Sequence, residues 1–305
     1  MSRVRLAHFS DVHLSGHRFG WTRRDVLSKK ATGWLNVKLL GRGRRFRHAP
    51  TVAEALVHEF RTRQFDQLVF SGDATKLAFE SEFAAAASRL HVGHPDLPPG
   101  IAVPGNHDYY TTQSYLAGYF EKHFAPWQHG ERVGEEPYPF ARKVGPVWLI
   151  AVNSSTPNFW HWDASGAVGE DQLARLRDLG RTLGPGLRVL VTHYPLRAAH
   201  GKLEPRPHRL RDHGPVLEAA KEIGVSLWLH GHIHHGFVLR PSAGIPFPVI
   251  CAGSTTQSKH WTYNDYTITG TKLTAVRRRY DQLAHQFRDG EAFELELEDR
   301  THKVG

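Results

Sequence analysis

Short apolar runs recur along the chain, each closed by a turn of glycine or polar residues. Val4 to Phe9, Leu68 to Phe70, Ile101 to Val103, Val189 to Val191 and Leu227 to Leu229 are the clearest. Runs of this length and apolarity predict strands buried on both faces, as in a parallel sheet. Between them the apolar spacing changes to that of a helix. Pro50 to Arg63 places Val52, Leu56, Val57 and Phe60 on one face, and Glu82 to Leu90, Gln113 to Phe124, Glu170 to Leu183 and Asp212 to Ile223 read the same way. Alternating strands and helices predict an α/β fold with right-handed crossovers. Phe140 to Val144 and Val147 to Val152 predict a hairpin turning at Gly145-Pro146. Beyond Pro246 the pattern becomes short strands, Phe247 to Cys251, Tyr266 to Thr269, Leu273 to Arg279 and Phe293 to Leu297. These are expected to complete a second sheet packed on the first. Residues 1–305 read as one domain, with an insert at about 16–49 and C-terminal strands at about 255–305.

The residues that close the apolar runs carry the chemistry. Asp11-Val12-His13 follows the first, Gly72-Asp73 the second, Gly105-Asn106-His107-Asp108 the third, His193 the fourth and Gly231-His232-Ile233-His234 the fifth. Five strand ends would deliver Asp, Asn and His side chains to one edge, a donor set for two metal ions. Asp11 and His13 are two apart, so extended backbone would point both side chains the same way. A carboxylate has two oxygens, which makes Asp73 the candidate to bridge two ions. Nitrogen and oxygen donors without sulfur suit Mn, Fe or Zn. Two such ions lower the pKa of a bridging water and clamp phosphoryl oxygens.

In this order the five blocks resemble the calcineurin-like metallophosphoesterase superfamily, over about Val4 to Ser254. The phrase Gly72-Asp73-Ala74-Thr75, followed by Glu82-Phe83, looks like its phosphodiesterase branch. The resemblance implies a four-layer α/β/β/α sandwich of two mixed sheets flanked by helices. It implies one ion on Asp11, His13, Asp73 and His234, and a second on Asp73, Asn106, His193 and His232. It implies attack on phosphorus by a metal-bridging hydroxide, with His107 assisting the leaving oxygen. Asp108 is expected to orient His107 by accepting its other N–H, the competing reading being an aspartate that stabilises the turn. Two departures matter. Lys76 stands where many members carry an acid or Asn, so no role is transferred to it. His107 stands where the better known branch of UDP-diacylglucosamine hydrolases has Arg.

Charge adds one regional feature. The formal net charge is +9. Between Arg18 and Arg47 there are ten Lys or Arg and one acid, Asp25, so the excess belongs to the insert and the remainder is neutral. Within it Leu27, Ala31, Trp34, Leu35 and Leu39 recur at roughly helical spacing, with Arg24, Lys30 and Lys38 between. That predicts a basic amphipathic helix hanging over the site, either as a flap or in peripheral contact with an anionic membrane through residues 18–47; nucleic acid is a weaker third partner. Asn158, Phe159, Trp160, His161 and Trp162 suggest a wall or lid of a substrate pocket. The single cysteine, Cys251, reads as a small buried strand residue and excludes a disulfide framework. With no secretory signal or spanning run in view, the expected compartment is the cytoplasm. The leading expectation is a hydrolase of a phosphodiester or pyrophosphate, with no protein partner foreseen. Alternatives are a membrane-surface hydrolase of a lipid-linked pyrophosphate such as UDP-diacylglucosamine and, since members of the superfamily can lose activity, a non-catalytic scaffold.

Overall fold

The computed structural model describes residues 2–16, 20–26, 28–39, 42–160 and 162–301. The first apolar run is β1 (Arg3–Phe9). The insert follows as α1 (Arg23–Val26), α2 (Lys29–Leu39) and a 3-10 turn, Arg42–Phe46. Then come α3 (Ala49–Thr62), β2 (Gln67–Phe70), α4 (Glu80–Arg89) and β3 (Gly100–Ala102). Next are α5 (Thr112–Leu116), α6 (Tyr119–Phe124), β4 (Glu131–Arg132), β5 (Phe140–Val144) and β6 (Val147–Ala151). The chain continues through α7 (Glu170–Thr182), β7 (Leu187–Val191), α8 (His213–Glu222) and β8 (Val225–His230). It ends with β9 (Phe237–Leu239), β10 (Val249–Cys251), β11 (Thr262–Thr269), β12 (Lys272–Asp281) and β13 (Gln286–Glu296).

Two mixed sheets result. One has the order β13-β12-β11-β1-β2-β3, the other β4-β5-β6-β7-β8-β10-β9. Each strand divides its side chains by the period of two. Val4 and Leu6 of β1, Leu149 of β6, Val189 and Val191 of β7 and Leu227 and Leu229 of β8 fill the space between the sheets. Phe9 and Phe70 face outward under α3, α4 and α6. Ile150, Leu190 and Trp228 face outward under α7 and α8. The architecture is therefore the expected α/β/β/α sandwich. Cys251 is buried on β10. Among the described residues no helix is long and apolar enough to cross a membrane.

Three expectations are corrected. The last three strands join the first sheet, not the second: β11 pairs antiparallel with β1, Leu6 opposite Tyr266. Short apolar strands do not state which open edge they will cover, and this edge is claimed by a buried ion network. Asp265 of β11 meets Arg5 of β1 at 2.6 Å and Arg63 at 3.0 Å, and Glu59 of α3 meets Arg278 of β12 at 3.0 Å. Second, the helix expected over Gln113 to Phe124 breaks into α5 and α6 at Gly118, whose φ of 59 is left-handed. Third, the described side chains of the insert helix do not divide into an apolar underside and a solvated basic face. Lys30 is buried, 2.9 Å from the Asp25 carboxylate and over the Phe79 ring, whereas Leu35 is half exposed. Helical spacing located the turns of this helix but not the acid that draws Lys30 inward. Arg18 and Leu27, and the side chains of Arg24, Lys38 and Leu39, lie outside the described residues.

Glu82 fixes the start of α4. Its buried carboxyl accepts the N–H groups of Leu77 at 2.9 Å and Phe79 at 3.2 Å. Burial, only partly offset by those bonds, raises its pKa from the ordinary range to about 7. A carboxyl raised in the folded state contributes stability at low pH that is lost as pH climbs toward the folded value. Glu82→Gln keeps an acceptor oxygen and removes the titration. Its Tm relative to the native chain is expected to improve between pH 5 and pH 8, read by thermal melts across that range.

Candidate metal centre

The predicted donors come from the carboxyl ends of parallel strands in both sheets. Asp11 and His13 follow β1, Asp73 follows β2, Asn106 to Asp108 follow β3, His193 follows β7, and His232 and His234 follow β8. They do not converge by extended backbone. Asp11, His13, Asp73 and His232 have φ of 54, 41, 62 and 67, the left-handed region that costs about 1 kcal/mol or more outside glycine. Asp11 and His13 thus share a site because the chain turns, which replaces the expectation of an extended pair. Two glycines make room. A Cβ on Gly105 would stand 2.0 Å from Asp73 Oδ1, and one on Gly231 would stand 1.9 Å from Ser10 Oγ.

Donor atoms of Asp11, His13, Asp73 and His234 all lie within 4.8 Å of one another. His234 Nε2 is 3.1 Å from Asp11 Oδ1, and His13 Nε2 is 3.3 Å from His234 Nε2. A second group adjoins the first. Asn106 Oδ1 lies 3.1 Å from His193 Nε2 and 3.0 Å from His232 Nδ1. Asp73 Oδ2 is 3.6 Å from both His13 Nε2 and His193 Nε2, between the two groups. All seven predicted donors are thus brought together.

Their hydrogen bonds test whether cations fit. Each histidine spends one ring nitrogen on an oxygen acceptor: His13 on the Thr75 carbonyl at 2.9 Å, His193 on that of Ser71 at 2.8 Å, His232 on that of His208 at 2.9 Å, and His234 on Gln257 Oε1. A nitrogen that donates outward leaves a lone pair on the other, inward one. Lone pairs of four imidazoles then face carboxylate and amide oxygens with no proton between them. Asp11 Oδ1 is buried and makes no hydrogen bond. Burial holds His13 near pKa 4 and lowers His193 and His232 as well, which favours the neutral form of these three rings. Acceptors converging at these distances fit divalent cations, and the outward bonds are those that orient metal-binding imidazoles.

His107 and Asp108 separate here. His107 stacks on Tyr110, ring centroids 5.7 Å apart, and its Nδ1 donates to the Lys76 carbonyl at 2.7 Å. Asp108 therefore does not orient it, and that expectation is corrected. The Asp108 carboxylate lies beneath the site and accepts the N–H groups of Asp73, Ala74, Thr75 and Gly105 at 2.9–3.2 Å. It is the turn-stabilising aspartate, and burial raises its pKa to about 6 against the pull of those bonds.

The centre opens into a cleft of about 510 Å³. Lys29 and Thr32 of the insert, Tyr110, Trp162 and Asp163 line it. Lys29 Nζ sits 4.5 Å over the Tyr110 ring, and burial lowers its pKa, partly offset by Asp163. The aromatic loop is only in part the expected wall. Trp162 lines the cleft, Phe159 and Trp160 are exposed without lining it, and His161 lies outside the described residues. Sequence reasoning missed Lys29, Tyr110, Gln257 and the carbonyls of Ser71, Thr75, Lys76 and His208. Carbonyls carry no residue signature; Gln257, shortly after a strand in Ser254-Thr255-Thr256-Gln257, could have been weighed as a partner.

Nitrogen and oxygen donors in two adjoining groups, opening into a cleft, make a candidate metal centre. The chain belongs to the calcineurin-like phosphoesterase family, whose model matches residues 4–236, and it is a metal-dependent phosphoester hydrolase. Its fold is similar to that of a dimetal phosphatase from Danio rerio, at 12% identity and TM-score 0.65 over 97% of this chain and 99% of that one. It is also similar to a purple acid phosphatase from yellow lupin (Lupinus luteus) seeds, at 11% identity and TM-score 0.62 over 97% of this chain. This chain spans about half of the lupin enzyme, 54% of its length. A third likeness is to PhoD, at 9% identity and TM-score 0.60 over 99% of this chain and 71% of that one. No curated protein matches the chain.

Asp108→Asn preserves shape but leaves at least one buried N–H unpaired, which costs about 1–3 kcal/mol. The Tm of the metal-free chain is expected to fall, while the pH profile of hydrolysis keeps its shape. Asn106→Ala is expected to spare the metal-free Tm and lower metal content, measured by elemental analysis after dialysis. A shifted pH profile in Asp108→Asn with unchanged Tm would restore the orienting role.

Proposed function

We propose that this chain hydrolyses a phosphodiester or pyrophosphate at a centre of two divalent ions. Asp11, His13, Asp73 and His234 would hold one ion, and Asp73, Asn106, His193 and His232 would hold the other. The observation that carries this reading is the pair of adjoining donor groups meeting at Asp73 Oδ2, 3.6 Å from a histidine of each. When bound, the ions activate water and neutralise charge on the phosphoryl oxygens. The mixed imidazole and carboxylate set suits Mn, Fe or Zn.

The chain's own residues supply the rest. His107 assists the departing oxygen. Its bond to the Lys76 carbonyl keeps a proton on Nδ1, and the Tyr110 stack sets the ring plane, so the protonated ring donates from Nε2. Lys29 brings a cation to the wall of the cleft that the metal donors also line. A second charge of this kind suits a substrate with an anionic group beyond the phosphoryl under attack, such as the other phosphate of a pyrophosphate. The single cysteine accords with a reducing compartment, the cytoplasm. A second reading, a lipid-linked pyrophosphate at a membrane surface, is supported by the exposed aromatic side chains beside the cleft.

Hydrolysis with Mn²⁺ tests both readings. A cyclic nucleotide in solution and a lipid-linked pyrophosphate in anionic vesicles would be compared. Faster turnover of the lipid substrate supports the membrane reading; turnover of the cyclic nucleotide, indifferent to vesicles, supports a soluble diesterase. Turnover of neither overturns the diester and pyrophosphate assignment. His107→Ala is expected to lower kcat by roughly 10²–10⁴-fold on an alkyl diester, with metal content unchanged. On a p-nitrophenyl ester, whose leaving group needs no proton, the loss should be much smaller. Equal losses on the two esters would remove His107 from leaving-group assistance.

A further inference from the structure

Phe159, Trp160 and Trp162 stand 83%, 54% and 55% exposed at the tip of the loop between β6 and α7. Large aromatic side chains gathered in the open mark a contact surface more often than chance. They are held in an ordered array. Trp160 stacks on Trp162 with centroids 4.8 Å apart, and Phe159 meets Trp160 edge-on at 5.0 Å. The base of the loop is tied down by polar bonds. Asn158 Nδ2 donates to the Ser165 carbonyl at 2.6 Å, Ser165 donates to Asp163, and Arg211 reaches Asn158, Ser165 and Thr156. A scaffold this fixed presents its apolar tip instead of collapsing over it.

The surroundings select the occupant. Lys29 Nζ lies 3.5 Å from the carbonyl of Asn158, the residue before Phe159, so the insert and the aromatic tip flank one cleft. The insert exposes Val26 (58%) and Leu35 (50%). It carries ten basic residues against Asp25 between Arg18 and Arg47, and Asp25 is already paired with Lys30. Aromatic tips beside a dense cationic segment match an anionic bilayer surface, with tryptophan at headgroup depth and cations on lipid phosphates. A purely apolar partner would leave the cations unmatched, and a nucleic acid would leave the aliphatic residues so.

We propose that Phe159 and Trp160 seat this enzyme on anionic phospholipid membranes, cleft mouth toward the headgroups. The proposal rests on the cleft being the substrate entrance, and it makes the aromatic loop an insertion element beside the basic insert. Co-sedimentation with vesicles of phosphatidylcholine, alone or mixed with phosphatidylglycerol, tests it. The native chain is expected to bind the mixed vesicles preferentially, and added salt should weaken binding. Phe159→Ser with Trp160→Ser is expected to lower partition on the order of tenfold or more. Neither residue lines the cleft, so hydrolysis of soluble bis(p-nitrophenyl) phosphate with Mn²⁺ should not change. Brominated lipids should quench tryptophan fluorescence of the native chain, a readout that needs no variant. Native protein that binds neither vesicle, equal binding to both compositions, a double variant that binds like native, or no quenching overturns the proposal. Loss of soluble diester hydrolysis in the native chain instead overturns the catalytic reading and leaves the vesicle result to stand by itself.

Discussion

The structure depends on one electrostatic constraint. Lone pairs of imidazoles, carboxylates and an amide point at one another across 3.0–3.6 Å. Without a cation, that arrangement places like-signed partial charges together at the floor of the cleft. Everything next to the site serves to hold the arrangement. The outward nitrogen of each histidine is fixed to a carbonyl or amide oxygen, which determines where the inward lone pair points. Asp108 gathers the N–H groups of three consecutive residues, Asp73 to Thr75, together with that of Gly105. One carboxylate thereby locks the two turns that carry Asp73 and Asn106. Left-handed backbone at four donors is strain imposed by the same requirement.

The sandwich is what makes such a site affordable in energy. Parallel strands of both sheets end at one edge, and the apolar side chains packed between the sheets fix those ends relative to one another. Removing strand-face area from water stabilises by about 25 cal/mol per Å². A large shared core can therefore carry several strained residues and still fold. The ion pairs joining β11, β12 and α3 to β1 contribute more to which strand pairs with which than to net stability, since burying paired charges roughly cancels their attraction.

The donors were legible because the chemistry leaves little choice. A ligand at a strand end needs a polar residue after an apolar run, and crowding around Asp73 and Asp11 demands glycine at 105 and 231. Those constraints write themselves as fixed local strings. The roles of His107 and Asp108 were harder to separate, since two adjacent residues of one motif face different directions and only the turn geometry says which way. The destination of β11 to β13 was not legible, because strand pairing is decided by long-range contacts such as Arg5 with Asp265. Nor was the inward turn of Lys30, which depends on an acid five residues earlier and on a ring at position 79.

The insert shows how a local charge excess becomes part of the chemistry. Lys29 and Lys30 are neighbours in sequence with opposite fates. Lys30 is neutralised under the helix by Asp25, which ties α1 to α2. Lys29 faces the cleft and covers Tyr110, the ring on which His107 stacks. Gly33, one turn on, lets the helix approach so closely that a Cβ there would meet the Tyr110 hydroxyl at 2.6 Å. Insert, Tyr110 and His107 thus form one packed column. Displacement of the helix would alter the ring plane of His107 as well as the charge on the cleft wall. The charge on the cleft wall and the orientation of His107 are in this way coupled through contact, without any group shared between them.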